Sequence, residues 1–178
     1  MRVRQAEPAD AGSVALVHVR SWQAAYRGLI PQEYLDALDP AQRERQWREW
    51  LTGPHRTTET WVVEHPTDGV IGFVTLCASR DEDAGPETGE VAGLYVFASH
   101  WGTGAGRLLI SEAMRQLARA GKTTATLWVL ETNDRARRFY ESAGWHPDGR
   151  HKTDESRGFP LSEVRYRTDL TAVEASSS

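Results

Sequence analysis

Three glycines at alternate positions, where a predicted strand gives way to a predicted helix, constrain this chain more than any other feature. The strand is predicted over Glu90–Phe97, the glycines lie within Gly102–Gly106, and the helix follows from about residue 105 to 120. Glycines let the backbone approach a ligand closely and turn several N–H groups one way. The helix adds the positive end of its dipole, and Arg107 in its first turn adds a charge. The sequence therefore predicts a pyrophosphate cradle, or else a glycine-rich turn that binds nothing.

Two other phosphate-binding motifs fit this chain poorly. A P-loop around Gly121-Lys122-Thr123 would need an earlier glycine where Gln116 stands, and it would have to follow a strand rather than a helix. A dinucleotide fingerprint starting at Gly102 would need its third glycine at Arg107. Glu131 does end the next strand, where a ribose-binding acid would lie. However, the chain has too few βαβ units for a doubly wound fold.

The remaining segments alternate between sheet and helix patterns, which predicts an α/β (α+β) fold with a mixed sheet. The turn Pro66–Gly69 predicts a hairpin. The predicted strands are Arg2–Ala6, Thr58–His65, Val70–Ser79, Glu90–Phe97, Thr124–Leu130, Trp145–Lys152 and Leu161–Leu170. The predicted helices are residues 7–25, 32–38, 40–51 and 105–120, and one from Thr132 or Asn133 to Gly144.

Length and composition favour one domain over residues 1–171, with residues 172–178 as a disordered tail. The net charge of −4 and the pI of about 5.9 argue against a dedicated nucleic-acid binder. No apolar run approaches the length of a membrane span, and the first residues lack a secretory h-region, so a cytoplasmic protein is expected. Cys77 is the single cysteine, and we expect neither a disulfide nor a metal.

Two motifs occur in order along this chain. They are Trp101-Gly102-Thr103-Gly104-Ala105-Gly106 and Asn133-x-x-Ala136-x-x-Phe139-Tyr140-Glu141-x-x-Gly144-Trp145. They resemble two motifs of the Gcn5-related N-acetyltransferase (GNAT) superfamily, the acetyl-CoA loop Arg/Gln-x-x-Gly-x-Gly/Ala and the later Asn-x-x-Ala-x-x-Phe-Tyr-x-x-x-Gly-Phe. The resemblance covers nearly the whole chain, from Arg2 to Leu170, and implies a GNAT fold of about seven mostly antiparallel strands flanked by four to five helices.

The resemblance implies which residues meet acetyl-CoA. The strand residues Leu94, Tyr95 and Val96 pair with the pantetheine amides, and N–H groups near Val96 polarise the thioester carbonyl. Backbone donors from 102 to 107 and the Arg107 side chain meet the pyrophosphate, while Asn133 contacts the pantetheine or caps its helix. Trp101 departs from the family's Arg or Gln, so a side-chain contribution is lost. Its indole would then stack on the adenine or pack against the protein.

The resemblance also implies two catalytic residues. Tyr140 directs its hydroxyl at the sulfur of CoA and assists the departing thiolate, or else it is a core aromatic. Glu90 begins its strand eleven residues before Trp101, the offset of the general base in the histone-acetyltransferase branch. It takes the amine proton directly or through water, or else it has no catalytic role. Glu64 is a weaker alternative.

These residues predict an acetyl-CoA-dependent N-acetyltransferase in which a primary amine attacks the thioester directly in a ternary complex. Trp22 and Tyr26, four residues apart on one helical face, would wall the pocket of a small-molecule or peptide amine, or else Trp22 packs in the core. The family favours a homodimer. His18, one turn before Trp22, is expected to be packed rather than a base. An acidic loop could draw cationic acceptors or be merely solvated. The rival functions are a non-catalytic acyl-CoA-binding module and, more distantly, a nicotinamide oxidoreductase. The loop acids are Asp81, Glu82, Asp83 and Glu87.

Overall fold

A computed structural model describes residues 1–53 and 57–171 and confirms the predicted mixed sheet. The seven strands run in the order β1-β2-β3-β4-β5-β7-β6. The predicted disordered tail, residues 172–178, lies outside the described residues. The strands are β1 (Arg2–Gln5), β2 (Thr58–His65), β3 (Gly69–Ala78), β4 (Thr88–Val96), β5 (Thr124–Leu130), β6 (His146–Asp154) and β7 (Leu161–Asp169).

All five predicted helices form within the described residues. Asp39 caps α3, because its carboxylate accepts from the backbone N–H groups of Ala41 and Gln42 and Pro40 suits the first helical position. The first helix begins later than predicted, because Pro8–Asp10 forms a separate 3₁₀ turn that Glu7 and Asp10 cap reciprocally. The helices are α1 (Ala11–Ala25), α2 (Gln32–Asp36), α3 (Pro40–Thr52), α4 (Ala105–Arg119) and α5 (Asp134–Ser142).

The described residues group into two compact units. The first comprises those between residues 1 and 77 and between 93 and 113, and the second those from 78 to 92 and from 114 onward. The boundary passes through β4 and through α4, so each of these two elements contributes to both units.

The first unit buries the apolar stripe of α1 in a core shared with α3 and with β2 and β3. Val14 and Val17, at helical spacing on α1, are fully buried. They belong to one cluster with Trp47 of α3, Val62 of β2 and Phe73 of β3. The antiparallel pairing of β1 with β2 and of β2 with β3 presents these strand residues to the helices.

The second unit is built on β5. The first residues of β4 pair with β5 in parallel, and Thr88 lies opposite Thr124. On its other edge β5 pairs antiparallel with β7, where Leu127 lies opposite Tyr166. β6 pairs antiparallel with β7 and has a register shift between Pro147 and His151.

A buried arginine on β7 holds the acidic loop that precedes β4. The Arg165 guanidinium donates to Asp83 at 2.7 Å, to Asp148 at 2.7 Å and to Asp81 at 3.0 Å. Arg165 has a side chain only 7% exposed, so its charge needs these carboxylates to offset the loss of water. Asp81 also accepts from the Trp128 indole N–H at 3.0 Å.

Of the two alternatives for the acidic loop, a merely solvated loop is wrong for Asp81 and Asp83, and an attraction for cations is weakened there. Both carboxylates already face a guanidinium, and Arg150 lies 3.1 Å from Asp83 as well. Hydrogen bonding to Arg165 lowers the pKa of Asp83 from 3.8 to about 2. The sequence could not show this pairing, since Arg165 is more than eighty residues from the loop.

Across the described ranges, 1–53 and 57–171, no helix is long and apolar enough to cross a bilayer.

Arg165→Gln should lower the free energy of unfolding by about 3 kcal/mol, because it leaves carboxylates without their buried cation. Arg150→Gln is the matched control. Its side chain is 62% exposed, so its loss should cost less than about 1 kcal/mol. Urea unfolding at neutral pH measures both differences.

The stability lost in acid should also differ between wild type and Arg165→Gln. The Asp83 pKa is lowered in the folded state, so its contribution is present above about pH 4 and is lost as the pH falls through about 2. Arg165→Gln should therefore lose less stability than wild type between these two pH values. Equal losses in both proteins would contradict the proposed pairing.

Candidate active site

The carboxyl end of β4, Leu94–Val96, lies very close to β3. The N–H of Phe97 donates to the carbonyl of Ile71 at 2.9 Å, so the chain remains bonded to β3 just past the end of β4. A Cβ at Gly72 would lie 2.9 Å from the Tyr95 carbonyl oxygen, closer than real Cβ atoms come to backbone. Glycine at 72 is thus what allows the two strands to approach at this point.

The glycine loop has the backbone conformation that its residue types predict. Gly102 and Gly104 have φ angles of +79° and +94°, in the left-handed region that other residues rarely adopt. A Cβ at either position would meet nothing within 4 Å, so the loop surface is open there. The carbonyl of Gly104 accepts the first helical bond of α4, from Leu108. The N–H groups of the first helical turn have no carbonyl of a preceding turn to bond to, so they can donate to an anion.

Trp101 binds the end of β4. Its indole N–H donates to the Val96 carbonyl at 2.9 Å. The residue that departs from the family pattern thus joins the start of the loop to the strand that precedes it. This contact supports the packing role that the sequence allowed for Trp101.

Glu90 is the third residue of β4 rather than its first, because β4 begins at Thr88. It is only 2% exposed. Its Oε2 accepts from the backbone N–H of Arg80 at 3.0 Å and from Arg80 Nε at 3.3 Å, and its Oε1 accepts a short bond from Arg80 Nη2. Sequence reasoning missed Arg80, whose partner lies ten residues away across a loop.

Glu64, the weaker alternative base, belongs to a different ion pair. Its Oε1 accepts from Arg4 at 2.7 Å, and the same guanidinium binds both oxygens of Asp10. Hydrogen bonding to Arg4 lowers the pKa of Glu64, which makes its carboxylate a poorer proton acceptor.

Asn133 caps α5, as one of its two predicted roles requires. Its Oδ1 accepts from the backbone N–H of Ala136 at 3.1 Å, and the residue is buried. This bond satisfies one of the amides of the first turn that have no helical partner. The predicted contact with pantetheine stays a prediction.

Tyr140 is buried in an aromatic cluster of the second unit. Its ring centroid lies 5.1 Å from that of Phe139 and 6.3 Å from those of Trp145 and Tyr166. This packing fits the core role of Tyr140. The predicted role of its hydroxyl as a donor to the CoA sulfur stays a prediction. The neighbouring phenol, Tyr166, was not predicted from the sequence, although its inward position on β7 follows from the strand alternation.

The Tyr166 phenol bonds to two side chains of α5. It donates to Glu141 Oε1 at 2.7 Å and accepts from Arg137 Nε at 3.2 Å. Burial is the largest cause that raises the pKa of Tyr166. These bonds tie α5 to β7, so Tyr166 serves as a structural control for Tyr140.

Trp22 and Tyr26 share a face of the chain that also includes a predicted cofactor residue. Their rings meet edge to face, with centroids 4.9 Å apart. The Trp22 ring lies 6.2 Å from that of Tyr95 at the end of β4 and 6.2 Å from that of Tyr34. The structure therefore brings the predicted acceptor wall together with the strand predicted to bind pantetheine.

His18 is packed, as the sequence predicts, and its ring contacts those of Trp22 and Tyr95. Its ring stacks on Tyr95, with centroids 5.2 Å apart and planes inclined by 18°. Its Nδ1 accepts from the Trp47 indole N–H at 3.2 Å, which places the proton of the neutral ring on Nε2. His18 therefore fixes the orientation of Tyr95.

Sequence comparison matches this chain to known acetyltransferases. The profile of the acetyltransferase (GNAT) family matches residues 20–145. An uncharacterised N-acetyltransferase of Bacillus subtilis, YuaI, is 30% identical over 131 residues, covering 74% of this chain and 72% of that protein. A probable N-acetyltransferase of Mycobacterium tuberculosis, Rv2775, is 26% identical over 174 residues, covering 94% and 92%.

Solved structures share the fold. A GCN5-related N-acetyltransferase from Rhodopseudomonas palustris superposes with a TM-score of 0.74 at 19% identity, covering 94% of each chain. The PaiA N-acetyltransferase of Thermoplasma acidophilum, determined in complex with coenzyme A, superposes with a TM-score of 0.72 at 17% identity and covers 94% of this chain and 98% of its own.

Proposed function

Since this chain belongs to the acetyltransferase (GNAT) family, we propose that it transfers an acetyl group from acetyl-CoA to a primary amine by direct attack in a ternary complex. The enzyme is an acyltransferase, and the family assignment leaves no support for a nicotinamide oxidoreductase or a non-catalytic acyl-CoA-binding module. We further propose a small-molecule or peptide acceptor, a cytoplasmic location and a homodimer, with no nucleic-acid or membrane partner.

The observation that carries this proposal is the open glycine loop between β4 and α4. Its residues fit the pyrophosphate of CoA, because Gly102 and Gly104 leave the backbone accessible and the helix supplies N–H donors with a positive dipole end. Arg107 adds a positive charge in the first turn. Backbone groups of Leu94–Val96 would pair with the pantetheine amides.

Acetyl-CoA would supply an activated thioester, and this chain's residues would orient it and manage the protons. N–H groups near Val96 would stabilise negative charge on the carbonyl oxygen. The Trp101 indole N–H donates to the Val96 carbonyl. This bond fixes the plane of the peptide that follows Val96, next to these donors. No cysteine nucleophile is needed in direct attack.

The Tyr140 hydroxyl is the proposed proton donor to the sulfur. A phenol has an ordinary pKa of about 10, so it keeps its proton at neutral pH and can donate to a developing thiolate. The rings of Phe139 and Trp145 fix the direction of the Tyr140 side chain. This order would reduce the loss of entropy at the moment of transfer.

Glu90 is the proposed acceptor of the amine proton, directly or through water. Amines are protonated at neutral pH, so one proton must leave before attack and another after it. Arg80 donates to both carboxylate oxygens of Glu90 in a buried position, an arrangement that also suits a purely structural role. Variants of these two residues separate the alternatives.

The acceptor would lie against Trp22 and Tyr26. Two aromatic rings can hold either the apolar body of an amine or its cation. The ion pairing of Asp81 and Asp83 with Arg165 weakens the attraction of the acidic loop for cations, so we base the acceptor site on the rings. Trp22 is buried, and Tyr26 is the more exposed ring of the two.

Excess CoA should raise the melting temperature of the wild-type protein, because a ligand that binds only the native state stabilises it. Gly104→Val should abolish most of this shift, since a β-branched side chain cannot adopt a φ of +94° and would block the approach of the pyrophosphate. The control is Gly158→Val, which has similar strain at a φ of +84° and also has nothing within 4 Å.

Differential scanning fluorimetry with and without CoA gives both shifts. Each glycine variant should melt earlier than wild type without ligand, and only Gly158→Val should keep the CoA-induced rise. A wild-type protein that excess CoA does not stabilise would overturn the cofactor assignment.

Tyr140→Phe should lower kcat at least about tenfold with the best acceptor from a panel of primary amines, while the Kd of CoA changes little. The ring packs equally well, and only the hydroxyl is removed. Tyr166→Phe should instead lower stability, because it breaks the bonds to Glu141 and Arg137, and should leave kcat near wild type. Wild-type turnover in Tyr140→Phe would identify Tyr140 as a core residue only.

Glu90→Gln should lower kcat/KM at least about tenfold. A required base makes kcat/KM of wild type fall at low pH, and the variant should lack this fall. Arg80→Gln removes the guanidinium but leaves the carboxylate, so it should change stability more than kcat/KM. Steady-state rates across pH, with melting temperatures, test this. Equal losses of kcat/KM in both variants, with an unchanged pH profile, would assign Glu90 a structural role.

A further inference from the structure

Two histidine rings in the first unit face the same carboxylate oxygen of an aspartate. His65 ends β2, Asp68 lies in the turn to β3, and His100 ends the 3₁₀ turn Ala98–His100 that follows β4. Asp68 Oδ2 lies 2.9 Å from His100 Nε2 and 3.4 Å from His65 Nδ1. The three potential ligand atoms all lie within 4.8 Å of one another.

Neighbouring hydroxyls orient these groups. Ser99 Oγ lies 3.0 Å from His100 Nδ1, which fixes the ring so that Nε2 faces Asp68. A bond at the ring nitrogen that does not face the metal, which sets the tautomer and ring plane, is typical of histidines that bind metals. The Thr67 hydroxyl donates to Asp68 Oδ1 at 2.8 Å and so orients that carboxylate. The same hydroxyl and the Thr67 backbone N–H lie 3.0 Å and 3.5 Å from His65 Nδ1, the proposed ligand atom, so a metal would displace these two contacts.

The spacing suits a first-row transition metal. With metal–ligand bonds of about 2.0–2.2 Å, neighbouring ligands lie about 3.0–3.5 Å apart. Both contacts of Asp68 Oδ2 are close to that range. Imidazole and carboxylate are ligands that zinc and its neighbours accept, whereas calcium and magnesium prefer sites made of oxygen ligands alone.

The cluster is accessible to an ion from solvent. The side chains of Asp68, His65 and His100 are 47%, 34% and 15% exposed. Water can therefore complete the coordination shell beyond three protein ligands. Without a metal, His100 Nε2 and Asp68 Oδ2 form a hydrogen bond of 2.9 Å, and His65 Nδ1 lies 3.4 Å from the same oxygen. A metal would therefore compete with the proton shared by His100 and Asp68.

We propose that His65, Asp68 and His100 form a binding site for a divalent transition-metal ion, Zn²⁺ or Co²⁺. The single cysteine gave no indication of a metal site. His100 joins the short His65-x-x-Asp68 pair only in the folded chain, so this site was not predicted from the sequence. The proposal does not depend on the acyltransfer chemistry.

An occupied site would link the β2–β3 turn to the turn that leads into the glycine loop. The carbonyl of His100 accepts from the Thr103 hydroxyl at 2.8 Å, and Trp101 follows directly in the chain. The metal would thus hold the first residues of the loop to the hairpin. The immediate consequence is a more stable native state, because the ligands converge only on folding.

The test uses the full chain without an affinity tag, after chelator treatment. Calorimetric titration with Zn²⁺ and the visible absorption spectrum with Co²⁺ should show one bound ion. Asp68→Asn, His65→Gln and His100→Gln should each weaken binding at least about tenfold. The matched controls His146→Gln and His151→Gln, both on β6, should bind as wild type.

Melting temperatures without metal verify that each variant folds, and Asp68→Asn preserves the shape of the side chain. Zn²⁺ should raise the melting temperature of wild type and of the β6 controls but not of the three ligand variants. Failure of wild type to bind an ion, or binding that survives all three ligand substitutions, would overturn the proposal.

Discussion

The end of β4 is the constraint on which the candidate site depends. Gly72 allows β3 to approach the Tyr95 carbonyl, Phe97 donates to Ile71, and the Trp101 indole binds the Val96 carbonyl. These contacts fix the point at which the strand stops and the chain turns into the glycine loop. A loop can offer backbone N–H groups to a ligand only if its ends are held, since a mobile loop would lose conformational entropy on binding.

Local signals explain why so much of the fold could be predicted from the sequence. The cap at Asn133, the turn before β3 and the positive-φ glycines at 102 and 104 each depend on residues within a few positions. The partners of the charged side chains could not be predicted in the same way. Arg165 meets Asp81 and Asp83 across more than eighty residues, and the side chain of Glu90 is held by Arg80 across a loop. These partners come together only in the folded chain.

Trp101 shows how a departure from a family motif can be misjudged by residue type alone. Substitution of Arg or Gln by Trp implies a lost side-chain contact to the cofactor. In the folded chain the indole N–H instead binds the protein's own backbone at 2.9 Å. An Arg or Gln side chain would have donated to the ligand, whereas the Trp101 indole donates to the chain and orders the loop without ligand. Order in the unliganded loop reduces the entropy that binding must remove, which offsets a missing direct contact.

The distribution of charge also changes how an amine would be recognised. The chain is acidic overall, yet Asp81 and Asp83 are bound by Arg165, and Glu64 is bound by Arg4. The wall that includes Trp22 and Tyr26 is aromatic, and the His18 ring packs against Trp22 and accepts a hydrogen bond from the Trp47 indole. Aromatic faces attract a cation over a short distance and with little dependence on bulk salt, unlike an exposed acidic loop. Selection among amines at this wall would therefore follow the shape of the carbon skeleton more than its total charge.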